Sequence, residues 1–295
     1  MNILITGGTG FVGKKLVGTL HQQKHHIYIL TRSPKSHKNT ERKTYIGYDV
    51  DASELPVIEG VINLAGESLF GYWTTHKKNA ILKSRIETTK TLLNIIDHMP
   101  IKPHVLINAS AVGFYGTSEQ KIFTEKTSQA SDDFLGKVTH EWENTAKLAE
   151  AMGVRTVMTR FGVILGQDHG ALPLMRLPIK LFVGGKIGTG EQWVSWIHIK
   201  DVVHLIIHCL ENEEISGPVN ATAPDPKRNK DFMKILADVH NRPYWFTTPA
   251  FIMRTALGEM SQLITKGQYV WPEIALNTDF QFSYPHLKSA LKDLK

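Results

Sequence analysis

The sequence predicts an α/β fold: a doubly wound parallel sheet of the Rossmann type, with a smaller, mainly helical region toward the C-terminus. Three observations predict it. Apolar runs of strand type alternate with helical patterns through the first two-thirds of the 295 residues. The first such run, Asn2–Thr6, ends in a glycine cluster, and a second, His26–Leu30, follows at the distance of a βαβ unit. Alternation at this spacing implies parallel strands joined by right-handed helical crossovers, whose ligands bind beyond the carboxyl ends of the strands.

The glycine cluster is Gly7-Gly8-Thr9-Gly10-Phe11-Val12-Gly13, spaced G-x-x-G-x-x-G rather than G-x-G-x-x-G. Glycines after a strand let the chain turn sharply and bring backbone N–H groups against a pyrophosphate at the positive end of the following helix. Thr6, Gly7, Thr9, Gly10, Phe11, Val12 and Gly13 are therefore read as cofactor contacts. At the tip of the second strand stand Thr31 and Arg32, with Lys35 and Lys38 behind and no acid until Glu41. An acid there would bind a ribose 2′-OH, whereas a guanidinium suits a 2′-phosphate, so NADP(H) is expected over NAD(H).

Val61–Gly66 reads as the next strand, placing Asn63, Ala65 and Gly66 along the adenine-ribose side. A helix is expected from His76 to Met99, ended by Pro100, then a strand His104–Ala109, a helix Asp133–Met152 ended by Gly153, and a strand Val154–Arg160. The strand ends at Gly7–Gly13, Gly66, Ser110 and Arg160 converge on one crevice. Glycines at 166, 170, 184, 185, 188 and 190 mark a loop over about 166–192. Trp193–His198 leads into a helix from Asp201, and further helices are expected at Asn229–His240 and Ala250–Thr265. The domain division is read as 1–219 and 220–295, the second being a small substrate-side region.

Composition sets bounds. Cys209 is the single cysteine, so no intramolecular disulfide or Cys-based metal site is expected, which fits a cytoplasmic setting. No apolar run reaches the ~18 residues of a membrane helix, and no signal segment precedes the first strand, so no membrane association is expected. The net charge of +6 and pI near 9.2 reside densely in Arg32–Lys43, which lacks interleaved aromatics, and no nucleic-acid motif accompanies it. His204 and His208 share a helical face, but no third ligand is apparent, so no metal is expected.

Thr6–Gly13, Asn63–Gly66, Ala109–Gly116 and Trp196–Asp201 together resemble the extended short-chain dehydrogenases/reductases, the NAD(P)-dependent epimerase/dehydratase group. Leu30–Pro34, Lys83–Arg85, Trp142-Glu143 and Arg160–Gly166 are similar to its atypical "epimerase family" branch, as is Lys266–Leu294 to that branch's small terminal domain. The resemblance covers essentially the whole chain. It implies a bound nicotinamide dinucleotide, a small-molecule substrate above it, and Ser110, five residues before Tyr115-Gly116, as the hydroxyl that orients the substrate. The family's long helices often pair subunits into homodimers; nothing in the chain decides that here.

The family's tyrosine and its lysine four residues on fall at Leu135 and Thr139, so the usual proton partner is absent. Three readings follow: another group supplies the proton (Tyr115, Glu67, His198 or His140); the chain binds NADP(H) without turnover, as a regulatory or scaffold protein; or bound cofactor cycles on a substrate needing little acid–base help. Arg85 and Arg160 are candidate anion clamps, each with an ion pair as the competing reading. Trp193, with Trp73 and Trp196, is a candidate wall of the substrate pocket.

Overall fold

The computed structural model describes residues 1–295. In chain order the elements are β1 (Asn2–Thr6), α1 (Phe11–Gln22), β2 (His26–Leu30), β3 (Lys43–Ile46), β4 (Gly60–Asn63), α2 (Thr75–His98), β5 (Val105–Ala111), β6 (Ile122–Phe123), α3 (Phe134–Lys147) and β7 (Arg155–Phe161). There follow β8 (Val163–Leu165), α4 (Leu172–Lys180), β9 (Trp193–Val194), β10 (Trp196–His198), α5 (Ile199–Glu211), β11 (Gly217–Ala221), β12 (Lys227–Arg228) and α6 (Asn229–Val239). The chain closes with α7 (Ala250–Leu257), α8 (Gln262–Thr265), β13 (Tyr269–Val270), α9 (Glu273–Asn277) and α10 (Leu287–Asp293).

Seven strands form one sheet in the order β11-β7-β5-β4-β1-β2-β3, and every pairing in it is parallel. This is the doubly wound sheet that the alternating pattern predicts. Both faces are covered, so the central strands are buried along their whole length: Ile3, Leu4, Ile5, Val61, Ile62, Leu106 and Ile107 expose nothing or almost nothing. Ile3 and Ile5 join α1 and α5 in one core, while Leu4 and Leu106 join α2 and α3 in another. The alternation of odd and even residues between the two cores is the period-2 geometry of a strand.

The helices sit close to expectation, with local differences. The fourth strand stops at Asn63, and Leu64–Gly66 is loop. The segment 250–265 is two short helices joined by a 3₁₀ turn, because Gly258 takes a positive φ and breaks the first. The loop expected over 166–192 contains α4. Residue 219, the expected domain limit, falls inside β11, the sheet's edge strand. The C-terminal region is also knit into the rest: β13 pairs with β6, β12 with β9, and one core joins Leu165 and Trp196 to Phe232 and Leu291. The buried Asp201 carboxylate accepts from the backbone N–H of Ser283 and Tyr284, fastening the last segment to α5. No helix is long and apolar enough to cross a membrane.

The turn from β1 into α1 depends on backbone meeting backbone. A Cβ on Gly13 would stand 2.1 Å from the Gly7 carbonyl oxygen, and one on Gly7, at φ +69°, would stand 2.7 Å from the Leu64 carbonyl carbon. Gly18, on the same helix, faces open space. Gly13→Ala is expected to destabilise the protein by at least about 1–3 kcal/mol as an overpacked site. Gly18→Ala is expected to stabilise it by up to about 1 kcal/mol through helix propensity. Urea unfolding midpoints at constant slope check both.

Candidate functional site

The strand order places Arg32, Gly7, Leu64–Gly66, Ala111 and Phe161 in a row beyond the carboxyl ends of β2, β1, β4, β5 and β7, the edge of a doubly wound sheet at which a ligand crevice forms. Gly10 is the N-cap of α1 and offers no side chain, so the first-turn N–H groups have no cap of their own. Gly7, Gly10 and Gly13 form the tight turn that delivers this helix end to the crevice. That cradle fits a pyrophosphate: the glycines remove the side chains that would fill it, and the helix end is positive. Thr9, Gly10 and Arg32 are exposed, Phe11, Val12, Thr31 and Ala65 half-buried. Arg32 enters no hydrogen bond or ion pair and remains free for an anion.

Thr6 and Asn63 are corrected by the structure. Both are fully buried, with the Thr6 hydroxyl donating to Asn63 Oδ1 at 2.5 Å. The Asn63 amide donates onward to Asn108 and Thr89, and Trp142 Nε1 donates to the same Thr89 hydroxyl. The Ala65 N–H donates to Thr6 Oγ1, so this buried chain holds the Leu64–Ala65 backbone against Gly7. Thr6 and Asn63 thus shape the crevice floor and offer no surface to its occupant.

Ser110 and Tyr115 lie in a second buried network, and both candidate roles change accordingly. The Ser110 hydroxyl donates to Glu143 Oε1 at 2.6 Å, and Arg160 holds both oxygens of that carboxylate, each at 2.8 Å. Arg160 also donates to the Tyr115 hydroxyl, which donates to Asn220 Oδ1, and its guanidinium lies 3.5 Å over the Phe114 ring. The Asn220 N–H donates to Glu125, whose carboxylate also accepts from the backbone N–H of Glu273 and Ile274. Burial pushes the Tyr115 hydroxyl up to about 12. Ser110 is 2% exposed and its proton is committed, because strand alternation turns it toward α3. Arg160 is the buried ion pair of its competing reading and no anion clamp.

At the positions of the family's tyrosine and lysine, the structure places no proton donor. Leu135 packs into an apolar cluster with Trp73, Ile81 and Met260, and its Cβ closes on Gly113. The Thr139 hydroxyl returns to the carbonyls of Leu135 and Gly136 in its own helix. His198 is fully buried at the start of α5, where its Nδ1 accepts from the Lys200 N–H. Its ring tilts against Tyr284 at 4.0 Å, and burial lowers it to about 4 despite Asp293 at 3.3 Å. It is neutral at pH 7 and structural. His140 is exposed on α3 beside Asn144.

Glu67 and Arg85 do reach the crevice lip. Glu67 is exposed and paired with Lys77 at 2.7 Å, which holds its carboxyl below the usual range, with Arg32 and Arg85 adding to the effect. That places it within electrostatic reach of Arg32, just beyond the second strand. Arg85 lies against Gly66, over the Trp142 ring at 5.0 Å, and donates to the carbonyls of Glu67 and Ile81. It has no carboxylate partner within ion-pair distance, and burial lowers it to about 10. Trp193 is a joint: its Nε1 donates to the Glu119 carbonyl, Arg228 stacks on it at 3.9 Å, and Tyr269 meets its edge. Trp196 is buried in the core and donates to the Asp225 carbonyl. His204 and His208 gather no third ligand, and no group of three or more His, Cys, Asp or Glu stands close enough to hold a metal.

The part played by His169 and its loop escaped sequence reasoning. The Phe11 ring inserts between Gly166 and Gly170 and stacks on His169 at 5.6 Å, so the loop after β8 folds over the first turn of α1. The two glycines were the available signal, since a side chain at either would meet the ring.

Comparison with known proteins now decides the family. Residues 3–221 match the NAD dependent epimerase/dehydratase family, and residues 248–294 match a domain of unknown function, DUF1731. The chain belongs to the epimerase/dehydratase family. It is 49% identical over 300 residues to the epimerase family protein YfhF of Bacillus subtilis, covering 100% of this chain and 98% of that one. It is 44% identical over 293 residues to the epimerase family protein SH2119 of Staphylococcus haemolyticus, covering 99% and 98%. Among solved structures, the human epimerase family protein SDR39U1 with NADPH superposes with a TM-score of 0.90 at 32% identity, covering 100% of this chain and 99% of that one. The UDP-glucuronic acid 4-epimerase of Bacillus cereus, at 17% identity and a TM-score of 0.78, shares the fold. The nucleotide-binding Rossmann fold and its NAD(P) cradle are therefore properties of this chain.

The buried Arg160–Glu143 pair is testable. Removing one partner of such a pair leaves an uncompensated buried charge at a cost of about 3–5 kcal/mol. Arg160→Met is expected to lose about that much in denaturant unfolding, and a Glu143→Gln, Arg160→Met double variant is expected to recover part of it. Equal stability of wild type and Arg160→Met would contradict the network.

Proposed function

We propose that the chain binds NADP(H) in preference to NAD(H) and acts as an oxidoreductase or epimerase-type enzyme on a small molecule, without a tyrosine–lysine pair. The observation that carries the cofactor preference is Arg32: exposed, unpaired, at the tip of β2, with no acid before Glu41. The relative solved with NADPH supports the same preference. A nicotinamide dinucleotide in this cradle would supply or accept a hydride. Gly7, Gly10 and Gly13 bring the first-turn N–H groups of α1 to its pyrophosphate, Arg32 neutralises the 2′-phosphate, and Phe11 with His169 closes the loop over that turn. Arg85, a half-buried cation without a carboxylate, clamps an anionic group at the end of β4.

At the β5–β7 end, Leu135 and Thr139 hold no transferable proton, and Ser110 and Tyr115 keep theirs in the buried network. The proton of any reduction there comes from water or from the substrate itself. A second reading, a non-catalytic NADP(H)-binding regulatory protein, is favoured by those same residues.

Calorimetric titration separates these statements. NADPH is expected to bind more tightly than NADH, and Arg32→Ala to weaken NADPH by about 10- to 100-fold, the worth of a charge-assisted hydrogen bond, while leaving NADH unchanged. Equal binding of both nucleotides to wild type and variant would remove the preference. Addition of carbonyl and sugar-nucleotide substrates to the NADPH complex, read by loss of its absorbance, then tests the enzyme. Turnover supports the first reading, and none across both substrate classes assigns the second.

A further inference from the structure

The segments 171–190 and 239–258 share an unusual composition. Together they contain five cations and no aspartate or glutamate. They also lie side by side: Ile187 bridges Thr248 in parallel, the Trp245 and Phe246 N–H groups approach the Gly184 carbonyl, and the Thr248 N–H donates to Lys186.

Both segments present large apolar side chains to solvent. On α4 and its C-cap, Leu174, Leu177 and Leu181 recur at i, i+3 and i+7, one face of a helix, and all are more than half exposed. Phe182 follows at φ +65°, a left-handed conformation rare for a bulky residue, and is itself half exposed. Trp245 is 74% exposed although its Nε1 is satisfied by the Phe182 carbonyl, so only the hydrocarbon of the ring is left without a partner. Arg242 lies 4.4 Å over the Phe182 ring. Further along, α7 buries none of its residues and exposes Phe251 and Ile252. An apolar face of this extent marks an interaction surface.

Charge selects the occupant. Arg176 is buried and bonded to the Gln167 and Leu294 carbonyls, but Lys180, Arg242 and Arg254 are exposed and Lys186 half-buried among these side chains. A second copy of the chain, paired about a twofold axis, would set these cations against their own images with no acid in either segment to neutralise them. An anionic surface meets no such repulsion. Leucine, phenylalanine and a satisfied tryptophan, interspersed with lysine and arginine, match the chemistry of a water–lipid boundary, where apolar tips enter the acyl region and cations meet headgroup phosphates. We infer that α4, the 182–188 segment and residues 242–254 form a peripheral docking face for an anionic lipid bilayer. The expectation of no membrane association rested on the absence of a spanning segment, and peripheral docking needs none.

The full-length protein is mixed with vesicles of phosphatidylcholine alone, or of phosphatidylcholine with about a third phosphatidylglycerol, and floated on a density gradient. It is expected to float with the anionic vesicles, to release at high salt, and to bind phosphatidylcholine at least about tenfold more weakly. Two variants separate the contributions: Phe182→Asp with Trp245→Asp, and Lys180→Glu with Arg242→Glu. Each is expected to lower flotation about tenfold or more while keeping a cooperative thermal transition, because all four residues are exposed and lie outside the core. Emission of wild type, less that of Trp245→Phe, is expected to shift to the blue on binding. Absence of flotation at low salt, or equal flotation of either double variant, overturns the proposal. A wild-type dimer that the Phe182→Asp, Trp245→Asp variant converts to monomer would assign the face to a second copy instead.

Discussion

The approach of Gly13 to the Gly7 carbonyl is the constraint on which the rest of the crevice depends. Peptide backbone touches peptide backbone there, and no side chain larger than hydrogen fits between. That contact sets the start of α1 directly beyond the end of β1 and leaves its N-terminal N–H groups pointing into the row of strand ends. The Leu64–Ala65 backbone closes on Gly7 from the other side, held by the buried Thr6 hydroxyl. Three segments far apart in sequence thereby make one cradle whose positive end is backbone, insensitive to pH and already formed.

A second constraint works against the chemistry that the family resemblance implies. The Arg160–Glu143 pair is almost entirely buried, and such a pair survives only when its remaining donors and acceptors are satisfied. Ser110 and Tyr115 do that satisfying. Their protons complete the shell of an ion pair, and a proton committed in this way is not offered to a substrate. The same network continues through Asn220 and Glu125 to the backbone at Glu273 and Ile274, so it also joins the sheet to the C-terminal region. The polar groups at the carboxyl ends of β5 and β7 serve cohesion, while beyond β1 and β2 the first-turn N–H groups of α1 and the Arg32 side chain are left open.

What the sequence made legible follows from local physics. Strand and helix periods, glycine turns and proline stops are set by residues within a few positions of one another, and β1, α1, β2, β4, α2, β5, α3, β7 and α5 are readable from them, whereas the short strands β3, β6 and β8 and the helix α4 are not. The turn from β1 into α1 is readable for the same reason: Gly7–Gly13 act through backbone geometry. The roles of Ser110, Tyr115, Arg160, His198 and Asn63 were not, because each depends on a partner 17 to 105 residues away. Counting from Tyr115-Gly116 brought Ser110 to the strand end, but the side of the sheet it faces is fixed by strand parity and by Glu143 on α3. Phe11 shows the converse: Gly166 and Gly170 read in sequence as loop punctuation, and the ring seated between them is what requires them.

The central claim is that the crevice accepts a nicotinamide dinucleotide while its β5–β7 end keeps its protons locked. The most direct measurement is a crystal structure of the NADPH complex. The pyrophosphate is expected on the first turn of α1, with Ser110 still bonded to Glu143 and Tyr115 still between Arg160 and Asn220. No titratable side chain would then lie within about 3.2 Å of a substrate oxygen placed beside the nicotinamide. A complex in which Ser110 or Tyr115 leaves the network and turns its hydroxyl toward the nicotinamide would contradict it.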